Sequence, residues 1–546
     1  MSQNIASDTG HLESLRVHAA DNVRVALKDL PAGSEIDDNG QRFMLAEAIH
    51  HKHKFTLEAL QPGDTVIMYG VTVGRATRPI ARGAAITTGN TEHSTATTAP
   101  QARRGNWQAP DVSWFRNATF DGYHRPDGRV GTANVWLVVP LVFCENRNIE
   151  VLRQSVADAL GEDPYRDYKR MARELLNGAS ATEDPIPTRE RLFPNVDGVR
   201  FLTHTLGCGG TDDDAQALCR LLAGYICHPN VAGATVLSLG CQKAQIEMLR
   251  RAVAKRDPRG LRPVHYLEQQ ASTSEEALIR EALITIFDGL AEANRVERTP
   301  APLSALTIGV ECGGSDGFSG LSANPLVGAV IDRLVALGGS GILSEFPELC
   351  GVEHELIARC TDDAVAERFR TLMTAYQNHA ARVGADFSMN PSPGNIRDGL
   401  ITDAMKSAGA AKKGGDSPIV DVLDYTEPHV RKGLNLLCTP GNDVESTTAL
   451  AGSGANLILF TTGLGTPTGN PVAPVLKIAS NSELAQRMSD VIDFDAGPII
   501  RGEAWIDEMA DRLLEMCIDT ASGRHPPRAV SLAQYDFIPW KRGVSL

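Results

Sequence analysis

Leu306-Thr-Ile-Gly-Val-Glu-Cys-Gly-Gly-Ser-Asp-Gly-Phe-Ser-Gly-Leu-Ser-Ala-Asn324 joins an apolar run of strand length to a glycine-rich polar loop, and the loop opens a helical stretch. A strand that passes into a helix through such a turn is the repeating unit of a parallel sheet covered by helices. The same texture begins near Phe120. Val135-Trp-Leu-Val-Val-Pro-Leu-Val142 and Ala234-Thr-Val-Leu-Ser-Leu239 are further strand-length runs, and residues 149–160, 275–294 and 503–522 read as helices. The pattern restarts after Arg298-Thr-Pro-Ala-Pro302, which places a domain boundary near residue 300.

Residues 15–91 differ. Val23-Arg-Val-Ala-Leu27 alternates, Asp64-Thr-Val-Ile-Met-Tyr69 is strand-like, and Gly63, Gly70, Gly74 and Gly83 punctuate, so this segment reads as short β elements. Residues 94–113 are rich in Thr, Ala, Pro, Gln and Arg without periodicity and read as a linker; residues 177–191 read as a polar surface excursion.

At roughly 100–200 residues per domain, the length of 546 residues predicts about three domains. With 53 Lys+Arg against 67 Asp+Glu, the formal charge is −14, and the basic footprint that a phosphate backbone requires is missing. Nucleic acid is therefore not an expected partner. No stretch approaches the roughly 18–20 apolar residues of a membrane span, and residues 1–30 have no signal-type apolar core. The expected compartment is the cytoplasm, where ten sparse cysteines stay as thiols.

Four apolar runs end alike, delivering Cys144, Cys208, Cys241 and Cys312 just past their last apolar residues. Ligands bind at the carboxyl ends of parallel strands. Thiols gathered there suit iron or an iron–sulfur cluster, or else each is a small buried apolar group. The other six cysteines are assigned to packing. His18 and the run His50-His51-Lys52-His53-Lys54 supply imidazoles for a divalent metal, or a solvated basic patch. His204 is a core histidine or an acid/base.

Three more loops share the polar, glycine-rich character of residues 311–325. They are Asn390-Pro-Ser-Pro-Gly-Asn395, Thr439-Pro-Gly-Asn-Asp443 and Phe460-Thr-Thr-Gly-Leu-Gly-Thr-Pro467. Such loops offer backbone and amide donors to a small anionic ligand. Nucleotide-binding glycine patterns and the HExxH signature are absent. A polyhydroxylated acid fits these donors.

His18-Ala-Ala-Asp-Asn, His53-Lys-Phe, His204-Thr-Leu-Gly-Cys, Leu239-Gly-Cys, Glu311-Cys-Gly-Gly-Ser-Asp-Gly-Phe-Ser-Gly and Asn390-Pro-Ser-Pro-Gly-Asn resemble the altronate dehydratase/galactarate dehydratase family, in the same order from about residue 15 to the C-terminus. The altronate branch is the nearer, given Thr439-Pro-Gly-Asn-Asp and Ile492-Asp-Phe-Asp-Ala-Gly. The resemblance implies an α/β protein. A small β-rich SAF-type domain (15–95) and a linker (96–115) would precede two α/β domains (116–300 and 301–546) with mostly parallel sheets.

It also implies a metal-dependent hydro-lyase that dehydrates an aldonate such as altronate to a 2-keto-3-deoxy acid. The metal would be Fe2+, with Mn2+ or an iron–sulfur cluster as alternatives. The partner is a small sugar acid, and a homo-oligomer is compatible. His18 and His53 are the first choices for metal ligands, joined by Cys144, Cys208, Cys241 or Cys312. His204 or Lys406 would act as base or acid, with Asp316 in the catalytic group; Ser315, Asn395, Asn442 and Thr466 would hold hydroxyls and carboxylate.

Three motifs depart from the family's pattern: Ile396 replaces a lysine, Ala404 and Met405 replace acidic residues, and Leu464 replaces an arginine. Losing that arginine removes a bidentate carboxylate clamp and disfavours a diacid. Other readings are a galactarate-type aldarate dehydratase, a carbon–sulfur lyase on a hydroxysulfonate, or a sugar-acid-binding protein without catalysis.

Overall fold

The computed structural model describes residues 13–95, 107–161, 163–177 and 191–546. The expected linker and polar excursion lie largely outside them. Residues 13–95 form small antiparallel sheets, as their alternation requires. Val23–Ala26 pairs with Ser14–Leu15 and Lys54–Thr56, while Val71–Ala76 pairs with Thr65–Met68 and Thr91–Glu92.

The remainder is α/β with parallel sheets. A four-stranded sheet has the order Gly198–Phe201, Val135–Pro140, Val231–Ser238, Val264–Glu268, every neighbour parallel. A seven-stranded sheet has the order Ile419–Leu423, Gly433–Leu437, Ser340–Leu343, Thr307–Cys312, Leu457–Thr462, Val475–Ala479, Phe494–Asp495, again all parallel. Both faces are covered, so the central strands are buried along their whole length rather than at alternate residues. The covering helices fall close to where periodicity placed them: Asn146–Leu160, Glu275–Ala293 and Ile506–Ala521.

The stretch expected to mark a boundary, Thr299–Pro302, is itself a strand, antiparallel to Thr119–His124. Its two prolines are tolerated because it lies on the edge of its three-stranded sheet. The two parallel sheets share one apolar core through helices Asp212–Ile226 and Asp443–Ser453. These cross where Gly224 lies against the Gly452 carbonyl, an approach any Cβ would block.

Among the described residues no helix is long and apolar enough to cross a membrane.

Candidate active site

In the seven-stranded sheet the chain lays Ser340–Leu343, Ile419–Leu423 and Gly433–Leu437 on one side of Thr307–Cys312, then returns to lay Leu457–Thr462 on the other. The carboxyl ends of Thr307–Cys312 and Leu457–Thr462 therefore bound a topological switch point, where open parallel sheets bind ligands. Loops 313–316 and 463–466 meet there. Gly463 donates its N–H to the Gly314 carbonyl at 3.0 Å, and a Cβ on Gly314 would stand 3.0 Å from Thr466 Oγ1 and 3.3 Å from Leu464.

Beneath the loops lies a buried charged cluster gathered from separate strand ends. Lys413 Nζ is 2.6 Å from Glu345 Oε2 and 2.8 Å from Cys312 Sγ, and Cys312 Sγ is 3.0 Å from Glu348 Oε2. Lys406 Nζ lies 2.6 Å from Glu348 Oε1 and 2.9 Å from Asn390 Oδ1. Ser446 donates to Glu311 at 2.6 Å, and the Glu345 N–H donates to Thr439 Oγ1 at 2.8 Å. Glu345 is held in the left-handed region, φ 65°, a strained conformation typical of functional loops.

Burial sets the protonation states. Burial, then the neighbouring Glu345, pushes the Glu311 carboxyl well above the usual range, and burial with the flanking carboxyls keeps Cys312 a thiol. Burial opposes charge on Lys413, yet the Glu345 and Glu348 carboxylates outweigh it and the ammonium keeps its proton. Burial likewise opposes charge on Glu348, but Lys406 and Lys413 hold that carboxyl below its ordinary value. At the rim, burial followed by Glu345 and Glu348 raises Asp443 to about 7. Gly313 leaves room for this carboxyl, since a Cβ there would collide with Asp443 Oδ2.

The expected site residues divide. Lys406 and Cys312 belong to the cluster. Asp316 is a hub: its Oδ1 accepts from Ser319 and Ser480, each at 2.9 Å, and its Oδ2 meets Lys52 Nζ at 3.0 Å and Asn481 Nδ2 at 3.2 Å. That arrangement docks the N-terminal β segment onto the switch-point loop. Lys54 reinforces it, fully buried and donating to the carbonyls of Lys52 and Gly399; burial lowers its pKa to about 7. Asn395 ties its loop to the Ser315 carbonyl at 2.8 Å, and Asn442 caps helix Asp443–Ser453. Thr466 Oγ1 faces Gly314.

His204 does not stand free for proton transfer. Its Nε2 lies 2.7 Å from the Pro140 carbonyl, its Nδ1 accepts from the Leu206 N–H at 3.1 Å, and burial lowers its pKa to about 4. It is a neutral structural tie. Of the imidazoles expected to bind metal, His18 is exposed and accepts from the Ala20 N–H, while His53 is half-buried with Nδ1 3.2 Å from the His51 carbonyl. The four strand-end thiols do not form one group: Cys312 is buried in the seven-stranded sheet, whereas Cys144, Cys208 and Cys241 are exposed on the four-stranded one.

Among the described residues two trios bring their donor atoms within 4.8 Å of one another, Cys312–Glu345–Glu348 and His93–Cys350–Asp403, and neither includes His18 or His53. In the first, the Lys413 ammonium already neutralises the donors, so an ion does not fit while Lys413 is in place. The second fits a single ion better. Both carboxylate oxygens of Asp403 lack a hydrogen-bond partner although the residue is only 1% exposed. Its N, S and O donors suit a borderline cation.

Burial, then Glu348, raises Asp403 from 3.8 to about 8. The folded state thus holds a proton that the unfolded chain releases above about pH 4, and the associated stability is lost as pH rises through about 8. In chelator-treated protein, Asp403→Asn should therefore gain thermal stability over the parent between about pH 5 and pH 8.5. A melting-temperature difference constant over that range would refute the assignment.

Sequence reasoning passed over Glu345, Glu348 and Lys413 as site residues. The segment Ser344-Glu-Phe-Pro-Glu348 follows an apolar strand and carried the signal for the two carboxylates; Lys413, beside Lys412, carried none.

The chain matches three family models in succession: the altronate/galactarate dehydratase SAF domain over residues 12–94, the D-galactarate dehydratase/altronate hydrolase second domain over 122–294, and the D-galactarate/altronate dehydratase C-terminal domain over 303–545. It belongs to the altronate/galactarate dehydratase family and is a carbon–oxygen lyase of that type. It is 34% identical over 517 residues to an altronate dehydratase of Escherichia coli (strain K12), covering 94% of this chain and 96% of that protein. A Bacillus subtilis (strain 168) altronate dehydratase is 34% identical, with 93% and 95% covered. The Escherichia coli (strain K12) galactarate dehydratase (L-threo-forming) is 33% identical, with 93% of each covered.

Proposed function

We propose that the protein is a metal-dependent dehydratase of an aldonate such as D-altronate, giving a 2-keto-3-deoxy acid. The observation that carries this is the pairing, at one switch point, of a carboxyl poised near neutrality with two buried ammonium groups. Dehydration removes the proton α to a carboxylate and expels the β-hydroxyl; the resulting enol ketonises. The α-proton is weakly acidic, so the enediolate needs fixed positive charge. Lys406, at the rim beside Asn390, supplies that charge to the substrate carboxylate, with Lys413 behind it. Asp443 takes the α-proton, its pKa of about 7 matched to operation near neutral pH.

The proposed cofactor is a divalent metal, iron before manganese, which when bound supplies Lewis-acid help to the departing hydroxyl. Two donor sets suit iron: the His93–Cys350–Asp403 trio, whose donor atoms are close enough for a single ion, and the exposed strand-end thiols, which form no such compact trio.

The decisive assay is anaerobic purification with ferrous iron and a panel of aldonates and aldarates, with 2-keto-3-deoxy acid as the readout. Turnover of an aldonate is expected; a panel without product, with either iron or manganese supplied, would overturn the reading. Leu464 lies at the switch point where the family pattern has arginine. Leu464→Arg should raise kcat/KM for an aldarate relative to the aldonate by roughly tenfold, the worth of one charge-assisted contact. An unchanged ratio would place the distal end of the substrate elsewhere.

A further inference from the structure

The ten cysteines sort by exposure. Six are buried and Cys350 is intermediate; the three exposed ones, Cys144, Cys208 and Cys241, follow three laterally adjacent strands of the four-stranded sheet. The three follow paired strand positions by similar numbers of residues. Pro140 pairs with Leu237, and Cys144 and Cys241 each come four residues later; Val138 pairs with Phe201, and Cys144 and Cys208 come six and seven residues later.

The three turns also interlock. Phe143 donates its N–H to the Leu206 carbonyl at 3.0 Å, and Ala244 donates to the Gly207 carbonyl at 3.0 Å. Gly207 presses against Leu141 and Val142 with no room for a Cβ. The Cys208 turn is thereby bonded to the turns carrying both Cys144 and Cys241.

The surroundings are those of an anionic sulfur site. Gly207, Gly209 and Gly240 flank the thiols with φ of 99°, 68° and 120°. Left-handed turns of this kind present backbone N–H groups to anions and to iron–sulfur clusters. Gln270, just past the fourth strand, donates its amide to Cys241 Sγ at 3.3 Å, a contact that tunes cluster sulfurs. One residue beyond Cys144, Glu145 is fully buried. Its Oε2 accepts from Asn148 at 2.8 Å, while its Oε1 has no partner.

A surface that gathers three free thiols on one edge invites oxidation, so their placement calls for an occupant. No compact donor trio among the described residues includes any of the three, which argues against a single ion. A polynuclear cluster spans a wider set of thiolates.

We propose that Cys144, Cys208 and Cys241 hold an iron–sulfur cluster as three thiolates, each releasing its proton to solvent on ligation. The inference rests on the proposed metal-dependent dehydration and names the form and place of its iron.

The test uses full-length protein purified or reconstituted anaerobically with ferrous iron and sulfide. Iron, acid-labile sulfide and visible sulfur-to-iron charge-transfer absorption are measured per chain, alongside Cys144→Ser, Cys208→Ser, Cys241→Ser and the control Cys350→Ser. Bound sulfide lost in the three variants and kept in the control is the expected result, with the three thiols of loaded parent protein protected from alkylation. That protection keeps the test valid if a variant misfolds. Sulfide-free protein that turns over with iron alone, or a cluster retained in all three variants, would overturn the assignment while leaving the dehydratase reading intact. A cluster bound at these thiols without turnover of any sugar acid would uphold the assignment and sink the dehydratase reading.

Discussion

Lys413→Met is expected to lower stability by about 3–5 kcal/mol and to abolish turnover. The ammonium is 1% exposed and lies against Glu345, Cys312 and, at 3.9 Å, Glu348. Methionine of similar length fills the space but leaves the buried Glu345 carboxylate without its counter-charge, the costly way to break an internal ion pair. Denaturant unfolding of parent and variant measures the loss. The mechanism makes a second demand: Glu345→Gln added to Lys413→Met should restore much of the stability, because it removes the orphaned charge. Restored stability without restored turnover would show that Lys413 serves the reaction as well as the fold. A single variant within about 0.5 kcal/mol of the parent would contradict the charge balance drawn for the cluster.

Asp443→Asn should lower kcat by roughly 10²–10⁴-fold, the usual worth of a placed general base, with little change in melting temperature. The amide is nearly isosteric and fits the space left by Gly313. It cannot take a proton. With a carboxyl of pKa about 7 as base, the parent's rate should rise with pH through neutrality. The residual rate of the variant should lack that limb. A kcat that keeps both its size and its acidic limb would remove Asp443 from the mechanism.

Much of the framework was legible locally. Apolar runs such as Val135–Pro140 and Thr307–Cys312 announce buried parallel strands because both faces of such a sheet are covered. Helices 146–160 and 275–293 were visible from their periodicity, and the loops at the switch point from their glycine and hydroxyl content. Reading individual side chains went less well. His204, adjacent to a thiol-bearing turn, looked like an acid or base, but its ring is consumed by the Pro140 carbonyl and the Leu206 amide. Asp316, expected in the catalytic group, fastens the N-terminal β segment, through Lys52, to the loop above the cluster, a role no local pattern records.

By itself, then, the order of residues determined a parallel α/β protein with a β-rich N-terminal segment, thiols and polar loops at its strand ends, and the family to which it belongs. Those properties follow from short-range periodicity and turn chemistry, which are written in contiguous residues. Only the tertiary structure decided which charges meet. Glu345 and Glu348 come from one strand end, Lys406 and Lys413 from a helix and the turn after it, and Asp443 from a third segment. Lys412 and Lys413 are indistinguishable in sequence, yet only the second is buried against Glu345 and Cys312. A charge acquires a shifted pKa and a partner only when distant parts of the chain exclude water from it, and no local pattern records which parts those will be.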